Sequence, residues 1–214
     1  MKRIILMTIC LLAISMGLRA QSAKAAWLAM PDSLLPYMPK ESREECVDLK
    51  ERNLEAKVTN LLRGETVLDT LTSSFLQVRL SRSAMLQMRV LPAEGGDSLI
   101  CVVKTLNAPA KESEIMFYDA AWRPVPRLQQ AMDAMRDSLP AKLLVRPDSM
   151  SEERFSELSR MIDPVMVYAT LSMDEDVLTF SLSTPLLSDE DRKSVACVLS
   201  QRKFKWDGHS FNEY

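Results

Sequence analysis

The single histidine of the chain is the first candidate for chemistry. His209 stands in the stretch KFKWDGHSF, two residues after Asp207. An imidazole oriented by a carboxylate can act as the general base of a serine hydrolase, but a triad also needs a positioned nucleophile. The chain has no G-x-S-x-G elbow to place one. Because Asp-Gly is a turn signal, the sequence predicts a solvated or turn-capping histidine and no catalytic residue.

Metal and nucleotide sites are disfavoured by the residue types available. One histidine and dispersed cysteines do not make a zinc site. The acidic stretches 174–178 and 188–192 lack the glycine-spaced loop of an EF-hand, so they are typical of a solvated turn and a helix N-terminus, with opportunistic calcium binding as a minor alternative. No glycine-rich phosphate loop is present. We therefore expect no metal and no cofactor.

Carboxylates leave one enzymatic alternative open. The chain holds 29 aspartates and glutamates, and a pair of them could hydrolyse a glycosidic bond. Nothing in the sequence singles out two. A hydrolase that uses paired carboxylates therefore stays an alternative.

Three cysteines remain after the N-terminal segment, in EECVDL (Cys46), LICVV (Cys101) and VACVL (Cys197). Their apolar neighbours favour small buried core residues. An oxidising compartment would permit one disulfide, and a bridge between Cys46 and Cys101 stays open.

The N-terminus has the layout of a secretory signal. Lys2 and Arg3 precede an apolar run of residues 4–16, and Ala20 offers a small residue for cleavage before Gln21. The run is shorter than the roughly 20 residues of a membrane-spanning helix. We expect residues 1–20 to be a signal peptide, an exported protein of the periplasm or cell surface, and no membrane span after cleavage. The remaining chain has 24 basic and 29 acidic residues, which argues against nucleic acid as a partner.

The rest of the chain alternates helical and strand patterns. Ser42–Glu45 has the form of a capping box for a helix over 42–54, and a second box is indicated at Ser149–Glu152. Residues 76–80 and 86–90 alternate apolar and polar side chains, which predicts a hairpin with one dry and one wet face. A nearly continuous apolar strand at 98–106 and an aromatic strand at 113–122 follow. The second half predicts helices over 128–139, 152–163 and 188–201, a hairpin over 164–184, and a final strand.

The two halves share an order of signals. Each has a PDS segment, a capped helix, a hairpin and an aromatic strand that ends in aspartate, at Tyr118-Asp119 and Trp206-Asp207. This predicts an α+β fold of two tandem repeats, 21–126 and 127–214, each with one or two helices on a small antiparallel sheet. The aspartates are expected to close turns, with the flanking aromatics packing sheet against helix.

Several segments are similar to a known family. AMPDSLLPYMPKESREECVDL, EAKVTN, ICVVKT and FYDAAWRPV resemble exported proteins of Gram-negative anaerobes catalogued as domain of unknown function 3256. The resemblance covers nearly all of the mature chain, and its most specific pieces are PDSLLPY and FYD-x-x-W-R-P. It implies an envelope location and an α+β fold. It brings no activity and no catalytic residue.

The sequence therefore favours a non-enzymatic binding or adaptor protein of the cell envelope, whose partner is a protein, a peptide or a glycan. The candidate binding residues are the aromatics Tyr118, Trp122 and Trp206, of which Trp122 and Trp206 are expected to be exposed. The expected docking place is a seam between the two units or a concave sheet surface. An envelope hydrolase and a purely structural component are the alternatives.

Overall fold

A computed structural model describes residues 21–107, 109–184 and 187–214. The predicted signal peptide lies outside the described residues. The fold is α+β, with two antiparallel sheets and helices on the flanks.

The first sheet is a meander of six strands in chain order. Each strand pairs with the next through a short connection, and the register between the second and third strands shifts at Leu68–Thr70. The strands are β1 (Lys57–Thr59), β2 (Glu65–Leu71), β3 (Phe75–Arg79), β4 (Ala84–Pro92), β5 (Ser98–Leu106) and β6 (Glu112–Asp119). The predicted hairpin of β3 and β4 is confirmed, and the apolar strand β5 has a neighbour on both sides.

Two helices cover one face of this sheet. They are α1 (Ala23–Ala29) and α2 (Lys40–Glu51), with a 3-10 turn at Asp32–Leu34 between them. The indole of Trp27 is fully buried there, among sheet residues that alternate along their strands as a period of two requires. These sheet residues include Leu76, Val78, Met88, Val90, Ile100 and Val102.

The second half supplies three helices and a four-stranded sheet. The helices are α3 (Pro126–Leu143), α4 (Glu152–Arg160) and α5 (Asp189–Val195). The strands are β7 (Met166–Leu171), β8 (Val177–Ser183), β9 (Arg202–Trp206) and β10 (Phe211–Glu213), in the spatial order β10-β9-β8-β7. The predicted hairpin with its turn at 174–176 is confirmed.

Both halves contribute to one core. The second face of the six-stranded sheet, with Phe75, Leu91, Val103 and Phe117, packs against α3 and the four-stranded sheet. The predicted boundary at residue 126 falls on the first residue of α3. The halves differ in size, with six strands against four, and the tandem repeat stays a prediction.

The prediction that one face of the β3–β4 hairpin is exposed to water is partly wrong. Gln87 and Arg89 are buried because the second sheet covers them. There they form hydrogen bonds with backbone groups at the edge of β7 and in the turn that follows it. Leu171 N donates to Gln87 Oε1 (3.0 Å), and Arg89 Nη1 donates to the carbonyls of Ser172 (3.1 Å) and Met173 (3.0 Å). Ser113 completes the contact, since its Oγ accepts from Ala169 N (2.9 Å). Polar side chains thus fix how one sheet sits on the other.

Two predicted helix starts need correction. Helix α2 begins at Lys40, after Pro39, so Ser42 lies inside it; proline suits this position because the first N–H groups of a helix have no partner within it. Helix α4 is capped by Ser151 rather than Ser149, since Ser151 Oγ accepts from Arg154 N (3.2 Å). The predicted cap at Ser188 is confirmed, because its Oγ accepts from Asp191 N (3.1 Å). Within the described ranges, no helix is both long enough and apolar enough to cross a membrane.

Candidate functional site

A pocket of about 390 Å³ opens where the two halves meet. The first half supplies the β5–β6 loop, and the second supplies the start of β7, the end of β8 and helix α5. We name it the seam pocket; its lining residues are Asn107, Pro109, Ala110, Lys111, Tyr168, Leu182, Ser183, Thr184 and Arg192. The pocket lies at the seam between the two halves, where the sequence analysis expected a docking place.

Local contacts hold the pocket walls in position. Lys111 N donates to Ser183 Oγ (2.9 Å), which ties the β5–β6 loop to the end of β8. The Lys111 ammonium lies 5.2 Å from the ring centroid of Tyr168, a cation–π distance. On the opposite wall, Arg192 Nε donates to Thr184 O (3.3 Å).

The seam pocket has a positive lining. Lys111 and Arg192 both line it, and among the described residues no carboxylate does. Asp189, which lies outside the lining, accepts from Arg192 Nη1 at 3.3 Å. Hydroxyl and amide groups of Ser183, Thr184 and Asn107 add neutral hydrogen-bonding capacity. The arrangement suits a carboxylate or another anionic group.

The expectation that Trp122 and Trp206 are exposed is wrong, and the third candidate, Tyr118, is buried as well. Tyr118, Trp122 and Trp206 are only 7%, 6% and 5% exposed. The indole N–H of Trp122 donates to Ala26 O (3.0 Å), and that of Trp206 donates to Pro92 O (2.6 Å). The two indole rings are buried, and each forms a hydrogen bond with a backbone carbonyl that lies far away along the chain.

Tyr118 nevertheless lines a second, apolar cleft of about 350 Å³. The cleft runs between the end of β6 and the first turns of α3, with Pro124 and Pro126 on one side and Gln129 at the rim. Trp122 and Trp206 do not line it. No pattern in the sequence indicated this cleft, because its walls meet only when α3 folds back along β6.

The two aromatic–aspartate segments do close equivalent turns. Asp119 Oδ1 accepts from the backbone N–H groups of Ala121 (2.8 Å) and Arg123 (2.9 Å), and Asp207 Oδ1 accepts from those of His209 (2.8 Å) and Ser210 (2.9 Å). These bonds, led by the one from His209, hold the pKa of the Asp207 carboxyl below its usual value. The prediction that both aspartates are turn residues is confirmed.

Each turn also brings two aromatic rings together. The rings of Tyr118 and Trp122 are 5.1 Å apart between centroids, and those of Trp206 and Phe211 are 5.3 Å apart. The His209 side chain is half-exposed, and its Nε2 lies 2.5 Å from Glu94 Oε2, a partner that the sequence did not predict.

A third cleft, of about 500 Å³, contains acidic residues. Glu112, Asp133 and Asp137 line it together with Arg136, between α3 and the start of β7. All three carboxylates are exposed. Among the residues that the structure describes, no cluster of three or more potential metal ligands occurs.

The cysteines within the described residues, Cys46, Cys101 and Cys197, are free thiols. Cys46 belongs to the core under the N-terminal helices and Cys101 to the core between the sheets, so the alternative of a bridge between them is not realised. Burial raises the pKa of Cys46 to about 11 and raises that of Cys101 as well. Cys197 is exposed, so its predicted burial is wrong.

The fold and its clefts define an α+β protein of two stacked antiparallel sheets with a basic pocket at their junction. The chain belongs to the family described as protein of unknown function (DUF3256), which matches residues 15–211. It is similar to a solved domain of an uncharacterized protein from Porphyromonas gingivalis W83, with 25% identity and a TM-score of 0.68. That similarity covers 88% of this chain and 97% of the other. No curated protein matches the chain.

Proposed function

We propose that the protein is an exported, non-enzymatic binding protein of the cell envelope, and that the seam pocket holds an anionic group of its protein, peptide or glycan partner. The observation that carries the proposal is the pocket itself: its described lining residues include two cations and no carboxylate, around a concavity of about 390 Å³. Its walls come from both halves of the chain, and a pocket of this size suits the end or side chain of a larger ligand.

Reversing the charge of Lys111 is the most direct test of anion binding in the seam pocket. Its side chain is exposed over Tyr168, and its backbone N–H anchors the loop, so a side-chain change leaves that anchor in place. We expect Lys111→Glu to fold normally and to lose binding of an anionic partner, because the substitution reverses the charge at the pocket mouth.

The experiment compares native envelope extract passed over three immobilised proteins: wild type, Lys111→Glu and Lys203→Glu. Lys203 is an exposed lysine on β9, outside the seam pocket. A stoichiometric partner retained by wild type and Lys203→Glu, and lost with Lys111→Glu, supports the proposal. An empty eluate, or equal retention by all three, contradicts it.

Export is part of the proposal and rests on the N-terminal residues. Fractionation of the producing cells and N-terminal sequencing of the mature protein test it. We expect a chain that begins at Gln21 in the envelope fraction. A chain in the cytoplasm that retains residues 1–20 would refute export.

The runner-up is a hydrolase that uses two carboxylates of the acidic cleft. The presence of Glu112, Asp133 and Asp137 around one concavity favours it. A general acid of a glycosidase is usually shielded from water, however, and all three carboxylates are exposed. Hydrolysis of an envelope polysaccharide by wild type, abolished in Asp133→Asn, would favour this alternative over binding.

The tandem repeat is also a proposal. Both halves end an aromatic strand with an aspartate-closed turn, after which the chain pairs back, Tyr118 with Pro124 and Trp206 with Phe211. If the halves are repeats, superposing Asp207 on Asp119 aligns β7–β9 with β4–β6 in the same order and direction. A superposition in which these strands diverge counts against duplication.

A further inference from the structure

Two exposed leucines lie on a turn that several hydrogen bonds hold in place. Leu61 and Leu62 lie between β1 and β2 and are 68% and 74% exposed. The side chain of Asn60, itself buried, organises the turn: its Oδ1 accepts from Leu62 N and Gly64 N, both at 3.0 Å. Its Nδ2 donates to Thr66 Oγ1 (3.1 Å) and Leu80 O (3.3 Å). We name residues 60–64 the leucine tip.

The backbone of the leucine tip is equally well held. Asn60 N donates to Gly64 O (2.9 Å), and Leu61 N donates to Tyr37 O (3.0 Å). A side chain at Gly64 would place its Cβ 3.3 Å from Asn60 Nδ2, which explains the glycine there. Two large apolar side chains are thus displayed on a rigid support, where a loop without function would carry polar residues.

Basic residues share this end of the molecule. In an antiparallel meander, alternate loops lie at the same end of the sheet, so the leucine tip lies beside the β3–β4 turn (80–83) and the β5–β6 loop. The bond from Asn60 to Leu80 O, and one from Asn107 N to Ser83 O (2.7 Å), confirm the neighbourhood.

Arg63 and Arg82 are exposed in these loops and make no ion pair within the described part of the chain. The described residues of the three loops contain no carboxylate. The carboxylate next to the tip, Glu65, is paired with Lys57 at 3.3 Å.

The other end of the sheet is acidic. The β4–β5 connection carries Glu94 and Asp97 there, and the β7–β8 turn with Asp174 and Glu175 lies near it, held by Arg89. The loops around the leucine tip thus carry Arg63 and Arg82 and no carboxylate among their described residues, in contrast to the connections at the other end. This difference in charge would orient the tip toward a negative surface.

We propose that the leucine tip, with Arg63 and Arg82, docks the protein on an anionic lipid surface. A protein partner fits less well, because two side chains on one turn fall far short of the roughly 800 Å² that a stable protein interface buries on each side. A bilayer needs only the insertion of a few apolar side chains beside basic residues that meet the headgroups. The leucine tip, Arg63 and Arg82 do not line the seam pocket, so variants at these positions test this proposal without changing a pocket residue.

The test is co-sedimentation of the chain from Gln21 to Tyr214 with vesicles. This chain contains both cores, and it omits the apolar residues 1–20, which would bind lipid themselves. We expect binding to vesicles of phosphatidylglycerol and phosphatidylcholine, and much weaker binding to phosphatidylcholine alone. The binding should weaken as salt is raised, because screening reduces the arginine contribution.

Leucine variants separate insertion from simple charge attraction. Leu61→Ser/Leu62→Ser should reduce the partition coefficient at least about tenfold, because the apolar transfer of both side chains is lost. The matched control is Leu54→Ser, an exposed leucine that precedes β1 at the other end of that strand; it should bind like wild type. Arg63→Gln/Arg82→Gln should remove the preference for phosphatidylglycerol.

A depth measurement completes the experiment. Leu62→Trp should be quenched by brominated acyl chains, whereas Leu54→Trp should not; the native tryptophans are buried and give a constant background. Failure of the wild type to sediment with either vesicle overturns the proposal and points to a protein occupant. Equal binding by the double serine variant, at unchanged thermal stability, also overturns it.

Discussion

The ion pair between Arg89 and Asp176 gives the sharpest test of how the two sheets are held together. Arg89 lies on β4 and is 5% exposed, and its Nε donates to Asp176 Oδ1 at 2.5 Å, across 87 positions of the chain. The same guanidinium binds two carbonyls of the β7–β8 turn. Removing the carboxylate would leave a buried cation without a counter-charge.

The expected cost follows from that burial. Breaking a buried ion pair on one side costs about 3–5 kcal/mol. Asp176 is 28% exposed, so water can reach the vacated side and the lower limit applies. We therefore expect Asp176→Ala to lower the free energy of unfolding by about 3 kcal/mol. Arg89→Met/Asp176→Ala removes both charges and leaves no buried ion without a partner. Its loss of unfolding free energy should therefore be at least about 1 kcal/mol smaller than the sum of the losses in the two single variants.

A surface pair on the same sheet provides the control. Arg79 contacts Asp69 with similar geometry, at 2.9 Å, but the arginine is 58% exposed. Asp69→Ala should therefore cost much less than Asp176→Ala, because water screens an exposed ion pair. The assay is equilibrium unfolding in urea, with the m-value checked for each variant. If Asp176→Ala and Asp69→Ala cost the same, burial of the guanidinium does not control the energetics and the reasoning is refuted.

Three further outcomes are expected. Trp206→Ala should lower the free energy of unfolding by about 3–5 kcal/mol in urea, because it empties a buried site; a loss below 1 kcal/mol would contradict the burial. A thiol reagent should modify one cysteine of native chain 21–214, Cys197, and none in Cys197→Ser, since burial raises the pKa of Cys46 and Cys101. The lowered pKa of Asp207 means that its stabilising contribution is present above the unfolded pKa of about 3.9 and is lost as the pH falls through the lower folded pKa. Melting temperatures between pH 5 and 2 should thus fall less for Asp207→Asn than for wild type, and equal slopes would refute that contribution.

Local signals predicted the strands and turns well. Alternation of apolar residues located the β3–β4 and β7–β8 hairpins, because a half-buried strand repeats every two residues whatever lies beyond it. Asp119 and Asp207 were predicted as turn residues, because an aspartate bonds to backbone groups only two to four positions away. Helix starts were less certain, since Ser149 and Ser151 offer the same hydroxyl and only the fold selects one.

The candidate site could not be predicted in the same way. Lys111 and Arg192 are 81 positions apart and share a pocket only after the second half folds onto the first. No sequence pattern distinguishes Leu61 and Leu62 from core leucines, and their exposure depends on where Asn60 is anchored.

The sequence by itself determined the α+β class, the family, and most strand and turn positions. These follow from composition, periodicity and contacts between near neighbours. The tertiary structure alone decided that Gln87 and Arg89 are buried beneath a second sheet, that Trp122 and Trp206 are core residues, and that Cys46 and Cys101 lie on opposite faces of one sheet. The physical reason is that burial depends on the element that covers a residue, and here the covering elements lie tens of residues away along the chain.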